Sequence, residues 1–443
     1  MSARTVRAVG ALAVGALLLS GCGGSGQDGA AQGSTGDDWT IPSSDPEASI
    51  TVVGHLDPVE EQLNDVVAAF EAEHPSIDVT YQQVPFDDLN SVLDSRITAK
   101  TGDPDVFWVD QPRVSALATR GYLENLTSQF GDLTDGLQAS TVENSSYDGE
   151  LWSLPIADST QILYYNKTLL AQAGLTPPST DPDQRITWQQ LKEDAAAAKA
   201  AGATYGLLLG QPDRYYQLEP LPVSAGGGVG AEGEDNLTPA VDDEGWVEAM
   251  TYYGSLYADG VSPRGITSEQ TDATFLQGGT AYMVQGNWLV PQLADSDVDW
   301  GAALNPVWEG GEPATPNGSW SVGMNPFSKN KEAAAVFMKW LAIDGESGYA
   351  TNRSFSELPA NTAGLQSYLT SEAFTSSEAG QQAADVVEYE STNTGVGRVA
   401  TVGYVEFEDI MGRAFSDIAN GSDPAESLES AQSQLETAWQ QYR

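Results

Sequence analysis

The sequence predicts an α/β protein in two lobes, each a mostly parallel sheet flanked by helices. Three observations carry that expectation. Between residues 50 and 110, β-type runs and amphipathic helices alternate as β-α-β-α-β, which requires crossover connections and hence parallel strands. A second run of the same type starts near residue 160. The chain has 443 residues, 40% hydrophobic and 9% aromatic, enough for two large domains with their own cores.

The N-terminus reads as an export signal. Arg4 and Arg7 form a positive start, and Ala8 to Leu19 is an apolar run too short to span a bilayer. It ends in Leu19-Ser20-Gly21-Cys22, which resembles a bacterial lipobox, with cleavage before Cys22 and a lipid on its sulfur; an incidental Cys is the bland alternative. Cys22 is the single Cys of the chain. Two or more acyl chains would anchor the protein without a transmembrane helix. Residues 1–21 are thus expected to be a signal peptide. Residues 22–47, rich in Gly, Ser, Asp and Ala, are expected to be a flexible tether.

The folded part opens with the β-type run Ile50 to Val53. Asp57 and Glu60 suit a capping pair around Pro58, starting a helix whose apolar stripe is Val59, Leu63, Val66, Val67 and Phe70. His74-Pro75 stops it. Ile77, Val79 and Tyr81 alternate as a strand, Asp88 to Ile97 reads as a helix, and Pro104 to Asp110 as a buried strand. The second run has a strand at Ile162 to Tyr165 and a helix from Lys167 to Ala173 closed by Gly174. Thr187, with Gln190 at the capping-box position, starts the helix Trp188 to Ala201, which Gly202 ends. A strand at Thr204 to Leu209, a helix over Trp246 to Ala258, strands at Ala281 to Gln285 and Ser321 to Met324, and the helix Lys331 to Leu341 follow. The last third is helical, with Leu428, Leu435 and Trp439 apolar.

Charge and composition exclude several functions. With 19 Lys+Arg against 63 Asp+Glu the net charge is −44, so nucleic acid is not an expected partner. His55 and His74 are the only histidines, which rules against a multi-histidine metal site. With no Cys beyond Cys22, thiol catalysis and internal disulfides are out. Gly226-Gly227-Gly228 lacks the Lys and helix start of a phosphate loop and reads as a surface loop. The acidic balance suits a solvated, soluble surface, or else a cleft for an amino-bearing solute. No cofactor is implied.

Several stretches in order resemble one family. They are Phe70-Glu71-Ala72-Glu73-His74-Pro75-Ser76-Ile77-Asp78-Val79, Gly102-Asp103-Pro104-Asp105-Val106, Tyr147-Asp148-Gly149-Glu150-Leu151-Trp152-Ser153-Leu154-Pro155, Leu163-Tyr164-Tyr165-Asn166-Lys167, and Lys329-Asn330-Lys331-Glu332-Ala333-Ala334 with Phe337-Met338-Lys339-Trp340-Leu341. Together they resemble the extracellular solute-binding proteins of ABC importers, in the carbohydrate-binding branch that includes maltose-binding protein. The resemblance implies a periplasmic-binding-protein-like (Venus flytrap) fold with ligand between the lobes. It puts hinge crossings near Pro155 to Asp158, Gly318 to Val322, and between Asp344 and Leu358. The lobes would be 48–156 with 319–350, and 157–318 with 351–443.

A sugar needs carboxylates and amides for its hydroxyls and aromatic faces for its C–H surfaces. In α/β sheets the ligand lies beyond the carboxyl ends of strands. The resemblance makes Trp288 a stacking ring, with a core Trp as the alternative. Trp320 sits on the second crossing, where it stacks ligand or packs the hinge. Asp110 matches an acidic ligand position, or caps the helix after Pro112. Asp158, with Gln161 nearby, bonds ligand or ties the hinge. His55 follows the first strand. Tyr215 and Tyr216 follow a strand of the second lobe, and one could stack. Arg398, Tyr404 and Glu406 lie in the stretch that reaches the cleft in relatives.

The implied function is a lipid-anchored substrate-binding protein on the outer face of the cytoplasmic membrane, monomeric. It would bind a sugar or short oligosaccharide and deliver it to the permease subunits of an ABC importer. The alternatives are the same fold binding a peptide, amino acid or polyamine, and a secreted glycoside hydrolase. The hydrolase needs paired carboxylates, and no pair stands out.

Overall fold

A computed structural model gives the fold and describes residues 39–56, 63–318, 320–344 and 358–443. The expected signal peptide, Cys22, the helix start at Asp57 to Glu60, and most of the third crossing lie outside the described residues.

The first sheet runs, edge to edge, Ile77–Gln83, Ala48–Gly54, Val106–Asp110, Trp320–Met324 and Leu154–Pro155. Ala48–Gly54 pairs in parallel with both its neighbours. Trp320–Met324 is antiparallel to Val106–Asp110 and to Leu154–Pro155. The second sheet runs Trp300–Ala303, Gln161–Asn166, Thr280–Gly286 and Tyr205–Leu209. There only Thr280–Gly286 and Tyr205–Leu209 pair in parallel. The sheets are therefore mixed, and the expectation of a mostly parallel sheet fails in the second lobe. The cause is the crossings. A strand that arrives from the other lobe enters its sheet at the cleft end and runs against strands that arrive from the outer end, as Trp320–Met324 and Gln161–Asn166 both do.

Local signals set the helices. Asn166 Oδ1 accepts from the Leu169 N–H at 3.1 Å, and Gly174, with φ 70°, ends that helix in the left-handed region. Thr187 Oγ1 accepts from the Gln190 N–H at 3.1 Å. The Gln190 side chain bonds Asp194 at 2.8 Å rather than closing a capping box.

Each lobe has its own core. In the first, Val52, Phe70, Phe107, Trp108, Val322, Phe337 and Trp340 pack together. The apolar stripe of the first helix is confirmed at Leu63, Val66 and Phe70, all buried. The second lobe has two clusters, one around Trp188, Trp246, Tyr253, Phe407 and Trp439, the other around Tyr164, Met283, Phe374 and Val387.

The expected tether meets the first lobe before residue 47. Trp39 is 5% exposed and belongs to that lobe's core. Its Nε1–H donates to Glu124 Oε1 at 2.8 Å, and Lys331 Nζ donates to Glu124 Oε2 at 2.9 Å. An indole has large apolar area and one N–H to satisfy, and both needs are met here. Composition had hidden this one residue among Gly, Ser and Asp.

Side-by-side strands link the lobes. Leu154–Pro155 pairs with Trp320–Met324, and Ala157–Asp158 pairs with Leu358–Pro359. Asp158 Oδ1 accepts from the Ser159 N–H at 2.8 Å and the Gly318 N–H at 2.9 Å.

Candidate functional site

The strand ends of both sheets face one cleft. On the first lobe, Ala48–Gly54 delivers His55. An added Cβ at Gly54 would lie 2.7 Å from the Tyr81 hydroxyl, so glycine is needed for the strand to pass that close to its neighbour. The His55 ring lies 4.2 Å from the Trp320 ring and 5.5 Å from Phe86, centroid to centroid. Phe86 in turn meets Trp320 edge-on at 6.0 Å. Burial lowers the His55 pKa to about 3, so the ring is neutral. Its Nδ1 is buried and has no hydrogen-bond partner among the described residues. Asp110 ends its strand directly opposite Trp320 in register.

On the second lobe, Tyr216 faces the cleft. Its hydroxyl donates to Ser159 Oγ at 2.7 Å, and Ser159 Oγ donates to the Gly318 carbonyl at 2.9 Å. The Arg398 guanidinium lies over its ring at 5.2 Å. Trp288 lies 6.1 Å from Tyr216 and is half-buried. Its indole lies against Gly286, where an added Cβ would sit 2.1 Å from the ring. Tyr215 points inward: its hydroxyl donates to the Val229 carbonyl at 2.6 Å and its ring packs against Phe407 at 4.9 Å. Gln161 is engaged at both ends, accepting from Gln217 at 2.9 Å and donating to the Tyr216 carbonyl at 3.4 Å.

Ion pairs cross between the lobes. Arg398 grips both oxygens of Asp110, at 2.8 and 2.5 Å. Burial raises the Asp110 pKa and the Arg398 charge opposes it. Arg113 donates to Glu408 at 2.8 Å, and Ser115 Oγ donates to the Thr401 carbonyl at 2.8 Å. The Arg214 guanidinium caps Phe86 at 4.9 Å. Behind Arg398 lies Glu219, fully buried. Burial, against the pull of Arg398 and a hydrogen bond from Tyr215, raises its pKa to about 8. At neutral pH it is an uncharged acid, and its Oε2 has no partner among the described residues; nor have Arg398 Nε and the Tyr404 hydroxyl.

The inner cleft, bounded by Phe86, Asp110, Tyr216, Trp320, Arg398 and Tyr404, encloses about 30 Å³. It adjoins an outer groove of about 810 Å³ that shares Asn90, Arg214, Tyr215 and Glu408 with it. His55, Asp110, Tyr215, Tyr216, Trp320, Arg398 and Tyr404 are thus brought together, with Trp288 beside Tyr216. Asp158 and Gln161 lie at the hinge beneath them. Glu406 is not brought in: it accepts from Arg120 at 3.1 Å and from Tyr442 at 3.0 Å at the lobe margin. The carboxylate of this helix that lines the cleft is Glu408. On the helix Tyr404–Ala419, positions four apart share a face and positions two apart do not, so Tyr404 and Glu408 point one way and Glu406 another. Phe86, Arg113, Arg214, Glu219 and Glu408 were missed by sequence reasoning. The strand-end rule that selected His55 would have found Phe86, which follows Ile77–Gln83.

No group of three or more His, Cys, Asp or Glu among the described residues could hold a metal. The cleft offers aromatic faces, fixed carboxylates, guanidinium donors and unpaired buried polar atoms. That combination, between two hinged α/β lobes, defines a small-molecule binding protein. The chain belongs to the bacterial extracellular solute-binding proteins, whose family model matches residues 57–346. A binding protein of Brucella abortus is 30% identical over 327 residues, covering 71% of this chain and 76% of the relative. The maltodextrin-binding protein of Bacillus subtilis is 26% identical over 334 residues, 73% of this chain and 76% of the relative. The fold is shared with an ABC substrate-binding protein from Listeria monocytogenes solved with cycloalternan, at TM-score 0.77 and 23% identity, over 88% of this chain and 99% of that one.

Proposed function

We propose that the protein is the extracellular substrate-binding component of an ABC importer, taking a neutral sugar or short oligosaccharide into the cleft and passing it to the membrane permease. The lobes are taken as 48–156 with 319–350 and 157–318 with 351–443, and the chain acts as a monomer held at the membrane through lipidated Cys22. The observation that carries the reading is the charge balance of an aromatic cleft. Asp110 is matched by Arg398 and Glu408 by Arg113, and Glu219 is neutral at pH 7. In the inner cleft neither Asp110 nor Glu408 is left over for an ammonium group, which disfavours the peptide, amino acid and polyamine alternatives there. Hydroxyls, by contrast, can donate to and accept from His55, Tyr404 and Glu219 at once. Relatives that include maltodextrin-binding and galactooligosaccharide-binding proteins of Bacillus subtilis support the same class.

The protein works without chemistry on its guest. A glycosidase needs one free carboxylate and one protonated one across the bond, and the two inner-cleft carboxylates Asp110 and Glu408 are both held by arginine. The test is calorimetry and small-angle scattering with maltodextrins and galactooligosaccharides. Saturable binding of one, with compaction and unaltered sugar recovered, is the expected result. No heat with any neutral saccharide, or recovery of a cleaved one, would overturn the reading.

A further inference from the structure

On the hinge side of Arg398 lies a separate recess of about 110 Å³. Arg398 lines both this recess and the inner cleft, so its side chain is the wall between them. Its other polar lining is the amides of Gln111, Asn144 and Asn317, the hydroxyls of Ser115 and Ser146 and the Glu143 carboxylate, with Gly318 among them. Gly318 has φ 86°, and a Cβ there would lie 2.9 Å from the Gln111 side-chain oxygen and 3.1 Å from the Asn144 amide nitrogen. Any larger residue would fill the space. The Asn144 amide makes no hydrogen bond among the described residues, so one acceptor and two donors remain on offer.

The inner cleft is too small for the task the aromatic wall implies. Its 30 Å³ leaves room for only about two or three water molecules, and a hexose is several times larger. A ring that reaches Trp320 and Asp110 must gain room. Arg398 is poised to give it. Its two terminal nitrogens hold Asp110, while its Nε is buried and has no partner among the described residues. The side chain is 7% exposed, so this orphan donor faces protein or ligand rather than bulk water. Swinging it off Asp110 joins the cleft to the recess.

We infer that the recess is an additional saccharide subsite, reached when Arg398 moves, that takes a neutral polyhydroxylated group on Asn144 and Asn317. The inference rests on the saccharide reading but is separable from it. Its walls come from both sides of the hinge: Gln111, Ser115, Asn144 and Ser146 from the first lobe, and Asn317 and Arg398 from the second. A guest there is gripped only when the lobes are together.

The experiment uses glucose as the probe, soaked into crystals of the full protein, with calorimetry in solution. Glucose is expected in the recess with hydroxyls on Asn144 and Asn317 and with Arg398 turned from Asp110. Asn144→Trp, which fills the recess, is expected to weaken glucose binding at least tenfold. Asn144→Ala, which leaves the fold undisturbed, is expected to weaken it severalfold. Glucose seen only in the outer groove, or binding unchanged in both variants, overturns the recess and leaves the saccharide reading standing. No saccharide bound anywhere removes both.

Discussion

Arg398 and Asp110, 288 residues apart in the chain, meet as a two-pronged ion pair across the base of the cleft. Both side chains are nearly buried, 7% and 12% exposed. Burial works against each charge, and each is retained because the other is there. The pair therefore couples the lobes through a contact that neither lobe can satisfy alone.

Removing one partner strands the other. Arg398→Met leaves the Asp110 carboxylate buried without its cation and is expected to destabilise by about 3–5 kcal/mol. Asp110→Asn strands Arg398 in the same way. The double variant is expected to lose clearly less than the two single losses together. Urea denaturation of the three proteins and the wild type checks this, and strict additivity would show that the two charges are not coupled.

Stability should fall as the solution becomes alkaline. Glu219 is raised from the usual 4.5 to about 8 by burial, so the folded state holds a proton that the unfolded chain gives up. Its stabilisation is complete below about pH 4.5 and is lost as pH climbs to 8, by up to about 1.4 kcal/mol per pH unit. Asp158 and Asp272, each raised to about 6 by burial, act in the same direction but are finished by pH 6. His55, lowered to about 3, acts oppositely and only below pH 6.5. Between pH 6.5 and 8 Glu219 therefore dominates these buried groups. Melting curves across that interval are expected to fall for the wild type and to be flatter for Glu219→Gln.

Trp288 and Trp246 should separate binding from folding. Trp246 is fully buried in the second lobe's core, and Trp246→Ala is expected to cost about 3–5 kcal/mol of stability. Trp288 is half-buried against Gly286 beside Tyr216. Trp288→Ala is expected to lose less stability but to weaken maltotriose binding about tenfold, or about 1.4 kcal/mol. Thermal melts paired with calorimetry read both numbers, and unchanged affinity in Trp288→Ala would remove that ring from the site.

The Trp39 contact predicts a graded pair of variants. Trp39→Phe keeps the ring in the core but leaves Glu124 Oε1 without its donor, and is expected to cost about 1–3 kcal/mol. Trp39→Ala adds a cavity and is expected to cost about 3–5 kcal/mol. Chemical denaturation, with proteolysis of the native protein to follow release of the segment, gives the comparison.

Much of the fold was legible because its signals are local. Thr187 before Trp188, and Gly174 after Ala173, mark helix ends through bonds within a few residues. The strand-end rule pointed to His55 and Asp110, and the family resemblance placed Trp320 on the second crossing. What stayed hidden depends on partners far away in sequence. The direction of Gln161–Asn166 follows from the crossing that feeds it, which no periodicity records. Glu408 rather than Glu406 faces the cleft because the start of the helix at Tyr404 fixes which face looks inward, and that start has no side-chain cap to announce it. Gln161 was expected near ligand, yet Gln217 and the Tyr216 carbonyl take up its amide. Arg214 and Glu219 gain their roles from Phe86 and Arg398, on segments the sequence does not connect.

The laced strands at the hinge carry one last consequence. Pro155 lies opposite Ser321, Asp158 lies opposite Leu358, and the Ile156 carbonyl accepts from the Ala360 N–H at 3.2 Å. Strands bonded edge to edge resist shearing past one another, so they bend together as a single leaf spring. Motion of the halves then reduces to one angle, and whatever pins that angle pins the whole molecule. A docking surface elsewhere could read occupancy from that angle alone, without touching the guest.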